Sequence, residues 1–221
     1  MIGMFKEEAV VIGHIFHELG DSCSPVLNIG SSDLHFRKVV QPYIHEYIFG
    51  PLQDKGVEVV HADMKKEEGV DLVGDLNDPA FIRQLTGRKF SCILCSNLLE
   101  HVENPRQLCD LLQQIVRPGG YLLVTVPRLY PYHADPIDTK FRPSLEELAA
   151  LFPLCKVKHE QYIPVRGCHF RQLVHHPKQL FLTVKNWMIP RYGFQVWGKC
   201  LQDVPRLFRK FQVSCVVLEK I

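Results

Sequence analysis

A short apolar run, Val26-Leu27-Asn28-Ile29, that breaks off into the small polar turn Gly30-Ser31-Ser32-Asp33 constrains the fold of this chain more than any other stretch. An apolar run of this length bounded by a turn fits a strand buried on both faces, as in a parallel sheet covered by helices. The turn that leaves such a strand and opens a helix is where open α/β sheets bind nucleotide-like ligands. This turn has one glycine rather than a full Gly-x-Gly-x-x-Gly, so on its own it also reads as a plain strand-to-helix connection.

The same alternation repeats downstream. Apolar positions at helical spacing (Val10, Val11, Ile15, Phe16, Leu19) predict a helix over about 5–19, stopped by Gly20. A helix or helix pair over about 35–49 is interrupted at Pro42, with Gly50-Pro51 as its stop. A second strand, Val57 to Ala62, ends at Asp63-Met64, and a third, Val70 to Gly74, ends at Asp75, with the charged segment Lys65 to Glu68 between them. A helix starts at Asn77-Asp78-Pro79 and a fourth strand runs from Phe90 to Asn97. Pro105 fits the first turn of a helix presenting Leu108, Leu111, Leu112 and Ile115 on one face. Arg117-Pro118-Gly119-Gly120 ends that helix before a fifth strand, Tyr121 to Val126. Ser144 and Glu147 form a capping-box signature, Lys156 to Ile163 reads as a sixth strand, and Phe211 to Glu219 as a last strand able to close the sheet edge. Strands alternating with helices predict an α/β fold with a doubly wound, mostly parallel sheet.

At 221 residues the chain suits a single domain over 1–221, with a basic and aromatic insertion at about 165–210 before the last strand. Its N-terminal Lys6, Glu7 and Glu8 do not read as a signal peptide, and no apolar stretch approaches the ~20 residues of a membrane span. Scattered cysteines inside apolar segments (Cys92, Cys95, Cys155, Cys215) fit buried thiols in a reducing cytoplasmic location. Cys92 and Cys95 lie in one strand, where alternation sends them to opposite faces, so no metal site is expected. The net charge of +2 argues neither for nor against nucleic acid, which is not the expected partner.

An adenosine-containing ligand would make definite demands on such a sheet. Its polar tail needs small residues and backbone donors, which Asn28, Gly30 and Ser31 offer. Its ribose hydroxyls need an acceptor, and Asp63 ends the second strand. Asp75, ending the third, can accept from the adenine amine, with Met64 and Leu76 on either side of the base. Either aspartate alone is explained as a turn residue; on successive strand ends they point to a site.

These residues, with Ser96-Asn97-Leu98-Leu99-Glu100-His101-Val102 and Arg117-Pro118-Gly119-Gly120-Tyr121-Leu122-Leu123-Val124-Thr125-Val126-Pro127, resemble a class I S-adenosylmethionine-dependent methyltransferase of the methyltransferase type 11 branch. The resemblance covers about 26–152. It implies a Rossmann-like, seven-stranded sheet with an antiparallel last strand. It also implies S-adenosylmethionine as cofactor, held by Asn28, Gly30, Ser31, Asp63, Met64, Asp75, Leu76, Ser96 and Asn97. The family usually has an acid where Asn28 stands and a second glycine where Ser32 stands, so the chain departs from it at two points of the cofactor turn. In relatives the Glu100-His101 pair lies beside the cofactor and often has no chemical role. Some RNA-modifying relatives use a Glu-x-x-Glu-His there for metal, but Asn97 fills the first position.

The loop from Pro127 to Pro143 resembles the segment that covers the transferred methyl group in the same branch. Within it His133 is the candidate general base, with Asp138 and Arg142; a hydrogen-bonded scaffold is the alternative for all three. The segment Arg166 to Phe211 mixes aromatics with nine Lys and Arg against the single acid Asp203. Such a segment suits a lid over an anionic substrate, contact with a membrane surface or nucleic-acid binding, but a plain helical cap with core aromatics and solvated charges is the leading reading. The expected function is O- or N-methylation of a small-molecule or glycan-type acceptor; the alternative is a methyltransferase-like binding protein without turnover. A nicotinamide-dependent oxidoreductase is disfavoured by the missing glycine motif.

Overall fold

The computed structural model describes residues 3–130, 137–168 and 210–221. Seven strands form one sheet in the order β3-β2-β1-β4-β5-β7-β6, where β1 is Val26–Ile29, β2 Val59–Asp63, β3 Leu72–Val73, β4 Phe90–Ser96, β5 Val116–Leu129, β6 Cys155–Cys168 and β7 Lys210–Lys220. The first five are mutually parallel, and β7 runs antiparallel to both of its neighbours. All four residues of β1 are buried, because helices cover both faces of the central strands.

Two apolar clusters, one per face, hold the sheet. The first joins Leu27, Ile93, Cys95 and Leu122 to helices Pro79–Gly87 and Pro105–Ile115. The second joins Val26, Cys92, Leu94 and Leu123 to α1 (Lys6–Leu19) and to Ile44, Ile48 and Leu52. Cys92 and Cys95 thus sit on opposite faces, as strand alternation requires. Local signals end the helices as expected: Asp78 caps Pro79–Gly87 by accepting from Ala80 N, and Ser144 and Glu147 form reciprocal capping bonds at Leu145–Ala149.

Several boundaries differ from the sequence reading. The terminal strand β7 does not close the edge; it inserts between β5 and β6, and β6 is the edge strand. A strand apolar on both faces (Val213, Cys215 and Val217 towards one, Val216 and Leu218 towards the other) is better buried inside the sheet than at its rim. Gly50-Pro51 opens a further helix, Gly50–Asp54, because proline is tolerated in the first helical turn. The third strand shrinks to Leu72–Val73. The buried stripe of α1 is Glu8, Ala9, Ile12, Ile15 and Phe16, so an acid occupies its apolar face.

Candidate functional site

At the carboxyl ends of the parallel strands lies a cavity of about 820 Å³, within the range of small-molecule sites. All nine residues expected around a cofactor line it: Asn28, Gly30 and Ser31 from β1 and its turn, Asp63 and Met64 after β2, Asp75 and Leu76 after β3, Ser96 and Asn97 after β4. They meet there because parallel strands deliver their exit turns to one edge. Among its lining side chains are six carboxylates (Asp33, Asp63, Glu67, Asp75, Glu103, Asp110) against Arg37 and Lys65, so the field favours a ligand carrying positive charge.

The turn after β1 is held by groups from three directions. Asp63 Oδ2 accepts from Ser32 N at 2.8 Å and its Oδ1 from Lys65 N at 3.1 Å. Arg37 is buried, and its guanidinium donates to Ser31 O (3.0 Å), Ser32 O (2.6 Å) and Gly69 O (2.7 Å), tying the turn to the loop after β2. Ser32 has φ 55, a left-handed conformation that costs a non-glycine residue roughly 1–2 kcal/mol. Glycine would relieve it.

Parallel register sets Asn28 beside His61. Asn28 Nδ2 donates to His61 Nδ1 at 3.0 Å, and the His61 ring meets Phe49 edge-on at 4.8 Å. Burial, and then the nearby Arg37 charge, push the His61 pKa down to about 4. The imidazole is therefore neutral at pH 7, with its proton on Nε2. Asn28 suits this partner because it brings the N–H that a carboxylate lacks.

Two buried acids stand behind the lining. Glu8 is fully buried, and its Oε1 accepts from Thr125 Oγ1 (2.6 Å), Ser96 Oγ (2.9 Å) and Asn97 Nδ2 (3.0 Å). Its Oε2 accepts from Asn97 Nδ2 (3.0 Å) and Phe5 N (3.1 Å). Burial outweighs the pull of these donors, so its pKa is raised above the ordinary carboxylate value. Glu100 is also buried, with Oε2 lacking any partner, and burial raises its pKa to about 8. His101 lines the cavity, its Nδ1 bonded to Ile137 O and its Nε2 3.8 Å from Glu100 Oε1.

In the loop after β5, Arg142 Nη2 donates to Asp138 Oδ2 at 2.7 Å and Lys140 N to Asp138 Oδ1 at 2.8 Å. That is the scaffold alternative for these two residues; His133 lies outside the described residues, as do positions 169–209 of the insertion. Among the described residues no group of three or more His, Cys, Asp or Glu could hold a metal ion. Nor is any described helix long and apolar enough to cross a membrane.

Sequence reasoning missed Arg37, His61 and Glu8. Glu8 alone left a signal, as an acid in line with Ile12 and Ile15 on the buried face of α1. Arg37 and His61 gain their roles from bonds to residues far apart in the chain.

Residues 23–197 match a family model described as a methyltransferase domain. Among solved structures, the chain is similar to the MccD protein (TM-score 0.56, 12% identity, covering 99% of this chain and 100% of that one). It is similar too to the [4+2]-cyclase SpnF (TM-score 0.53, 15% identity, 97% and 81% covered). A third is coclaurine N-methyltransferase bound to N-methylheliamine and SAH (TM-score 0.53, 15% identity, 97% and 71% covered). At these identities the likeness is one of fold. No curated protein matches the chain.

Proposed function

This chain belongs to the methyltransferase-domain family, and from that premise we propose that it transfers a methyl group from S-adenosylmethionine to O or N of a small-molecule or glycan-type acceptor. The observation that carries the reading is the convergence of Asn28, Gly30, Ser31, Asp63, Asp75 and Asn97 on one cavity with a predominantly acidic lining. Such a lining fits a donor that bears a sulfonium and an ammonium against a single carboxylate. When bound, the donor supplies an electrophilic methyl group.

The chain's own residues then have separable tasks. Asp63 keeps lone pairs for ribose hydroxyls while it pins Ser32 and Lys65. Asp75 Oδ1 is engaged by Asn77 within its turn, and Oδ2 is the acceptor for the adenine amine. Met64 and Leu76 flank the base. Displacement at a methyl carbon needs positioning and exclusion of water above all, and His133 takes the proton that an O or N acceptor gives up. Free thiols at Cys23, Cys92, Cys95, Cys109, Cys155 and Cys215 support a reducing, cytoplasmic setting.

The test is calorimetry with S-adenosylmethionine and S-adenosylhomocysteine, followed by tritiated-methyl transfer to fractionated small molecules, glycans, RNA and lipids. Micromolar binding and label in the small-molecule or glycan fraction are expected. Absence of binding by both nucleosides overturns the reading. A second reading, ligand binding without transfer, draws support from the neutral Asn28 and the left-handed Ser32; binding without labelled product in any fraction would select it.

A further inference from the structure

The first strand carries the neutral Asn28 at the cavity, yet a buried carboxylate stands behind the ends of β4 and β5. Glu8 reaches the strand ends from α1 and settles between β4 and β5, where side chains 88, 89 and 117 residues away donate to it. Every one of its contacts is with a neutral donor. Phe5 N–H and Asn97 Nδ2 can only donate, an arrangement suited to the ionised carboxylate. No Lys, Arg or His among the described residues pairs with it. Burial without a counter-charge favours the protonated carboxyl, so a cation bound in the site is what would hold Glu8 ionised. Two of its donors, Ser96 and Asn97, are themselves cavity lining, as are Gly3 and Met4 from the segment that leads into α1. The carboxylate is therefore one side chain behind the wall of the site.

We propose that Glu8, ionised when a cation occupies the site, supplies the negative charge that the β1 end lacks, and that it acts on the positive charge of the methyl donor bound over Ser96 and Asn97. This rests on the methyltransferase reading above. Solvent-facing acids such as Glu67, Asp75, Glu103 and Asp110 are poor substitutes, because water and salt screen them. Glu8 has no exposed surface and keeps its field. Asn28 cannot take the role, since it is neutral and its amide N–H is committed to His61. Glu8 is thus a positioning residue that works through Ser96 and Asn97 and never touches the transferred methyl group.

The experiment compares binding of S-adenosylmethionine, which carries the sulfonium, with S-adenosylhomocysteine, which has a neutral thioether in its place. Both affinities are measured by calorimetry in the wild type, Glu8→Gln, Glu8→Asp and Thr125→Val. Glu8→Gln keeps size and removes charge; Asn97 Oδ1, which has no donor in the wild type, can turn to accept from the new amide. Its affinity for the sulfonium should fall about tenfold, the order expected when a unit charge one side chain away is lost at an effective dielectric of about 20. Its affinity for the thioether should fall less than threefold. Glu8→Asp and Thr125→Val, which keep the charge, should lower the melting temperature while holding the ratio of the two affinities within about twofold. Equal losses for both ligands in Glu8→Gln overturn the proposal. Should Glu8→Gln not fold, the wild type decides: a sulfonium bound at least threefold more tightly than the thioether supports the proposal, and equal or reversed affinities overturn it. A wild type that binds neither nucleoside overturns the methyltransferase reading instead, so the two failures are distinguishable.

Discussion

Glu100 gives the sharpest test of how charge is stored around this site. Its carboxyl is buried, one oxygen has no partner, and its pKa rises from an ordinary 4.5 to about 8. Desolvation dominates; a bond to its own backbone and the Arg142 charge oppose it, while Glu8 and Asp138 add repulsion. The folded state therefore holds its proton over a range where the unfolded chain has released it. Stability from this group is complete below pH 4.5 and is lost as pH rises through about 8. At ~1.36 kcal/mol per pH unit, the wild type should lose about 3 kcal/mol between about pH 5 and about pH 7.5 through this residue alone. Glu100→Gln cannot titrate and escapes that loss. Urea denaturation of both proteins at the two pH values, followed by far-UV circular dichroism, gives the difference directly. Any fixed cost of the amide cancels when each protein is compared with itself. Glu100→Gln should gain about 3 kcal/mol on the wild type as pH rises across this interval. Parallel pH dependence in the two proteins would refute the claim that Glu100 is neutral in the folded state.

Other perturbations reach the turn and its neighbours. Asp63→Ala removes the acceptor for Ser32 N and Lys65 N; it should cost about 1–2 kcal/mol of stability and reduce donor binding below detection by calorimetry. Asn28→Asp places a carboxylate against His61 Nδ1, so the His61 pKa should climb from about 4 towards or above its ordinary 6.5 in an NMR titration. An unmoved titration would show that the two side chains are not in contact. Ser32→Gly relieves the left-handed φ of 55 and should stabilise the protein by up to about 1 kcal/mol in thermal unfolding, with donor affinity kept or improved.

The succession of strands and helices along the chain was legible because its signals are local. Val26 to Ile29 and Phe90 to Ser96 are continuous apolar runs, Pro79 and Pro105 open helices, and the Ser144–Glu147 box forms as its spacing implies. Errors occurred where tertiary context decides. Gly50-Pro51 can end one helix or begin another, and packing of Phe49 and Leu52 into one cluster selects the second. The apolar residues on both faces of β7 suit it to the interior of the sheet, but which strands flank it depends on pairing with β5 and β6 at once.

The cavity's lining was legible for a related reason. In a doubly wound sheet every strand's exit turn reaches the same edge, so naming the strand ends names the lining. Charge was harder to read, because a side chain's charge acts where it ends and not where its backbone lies. From sequence, Asn28 is a lost negative charge, yet Asn28 completes a neutral pair with a histidine that burial has discharged. Glu8 reads as one of several N-terminal surface charges, yet among the described residues it is the acid with no exposed surface, held by residues from two strands much later in the chain. An aspartate at position 28 would draw a proton onto His61 and be neutralised by it. Charge supplied from α1 avoids that neutralisation, at the cost that the site's electrostatics depend on α1 being docked.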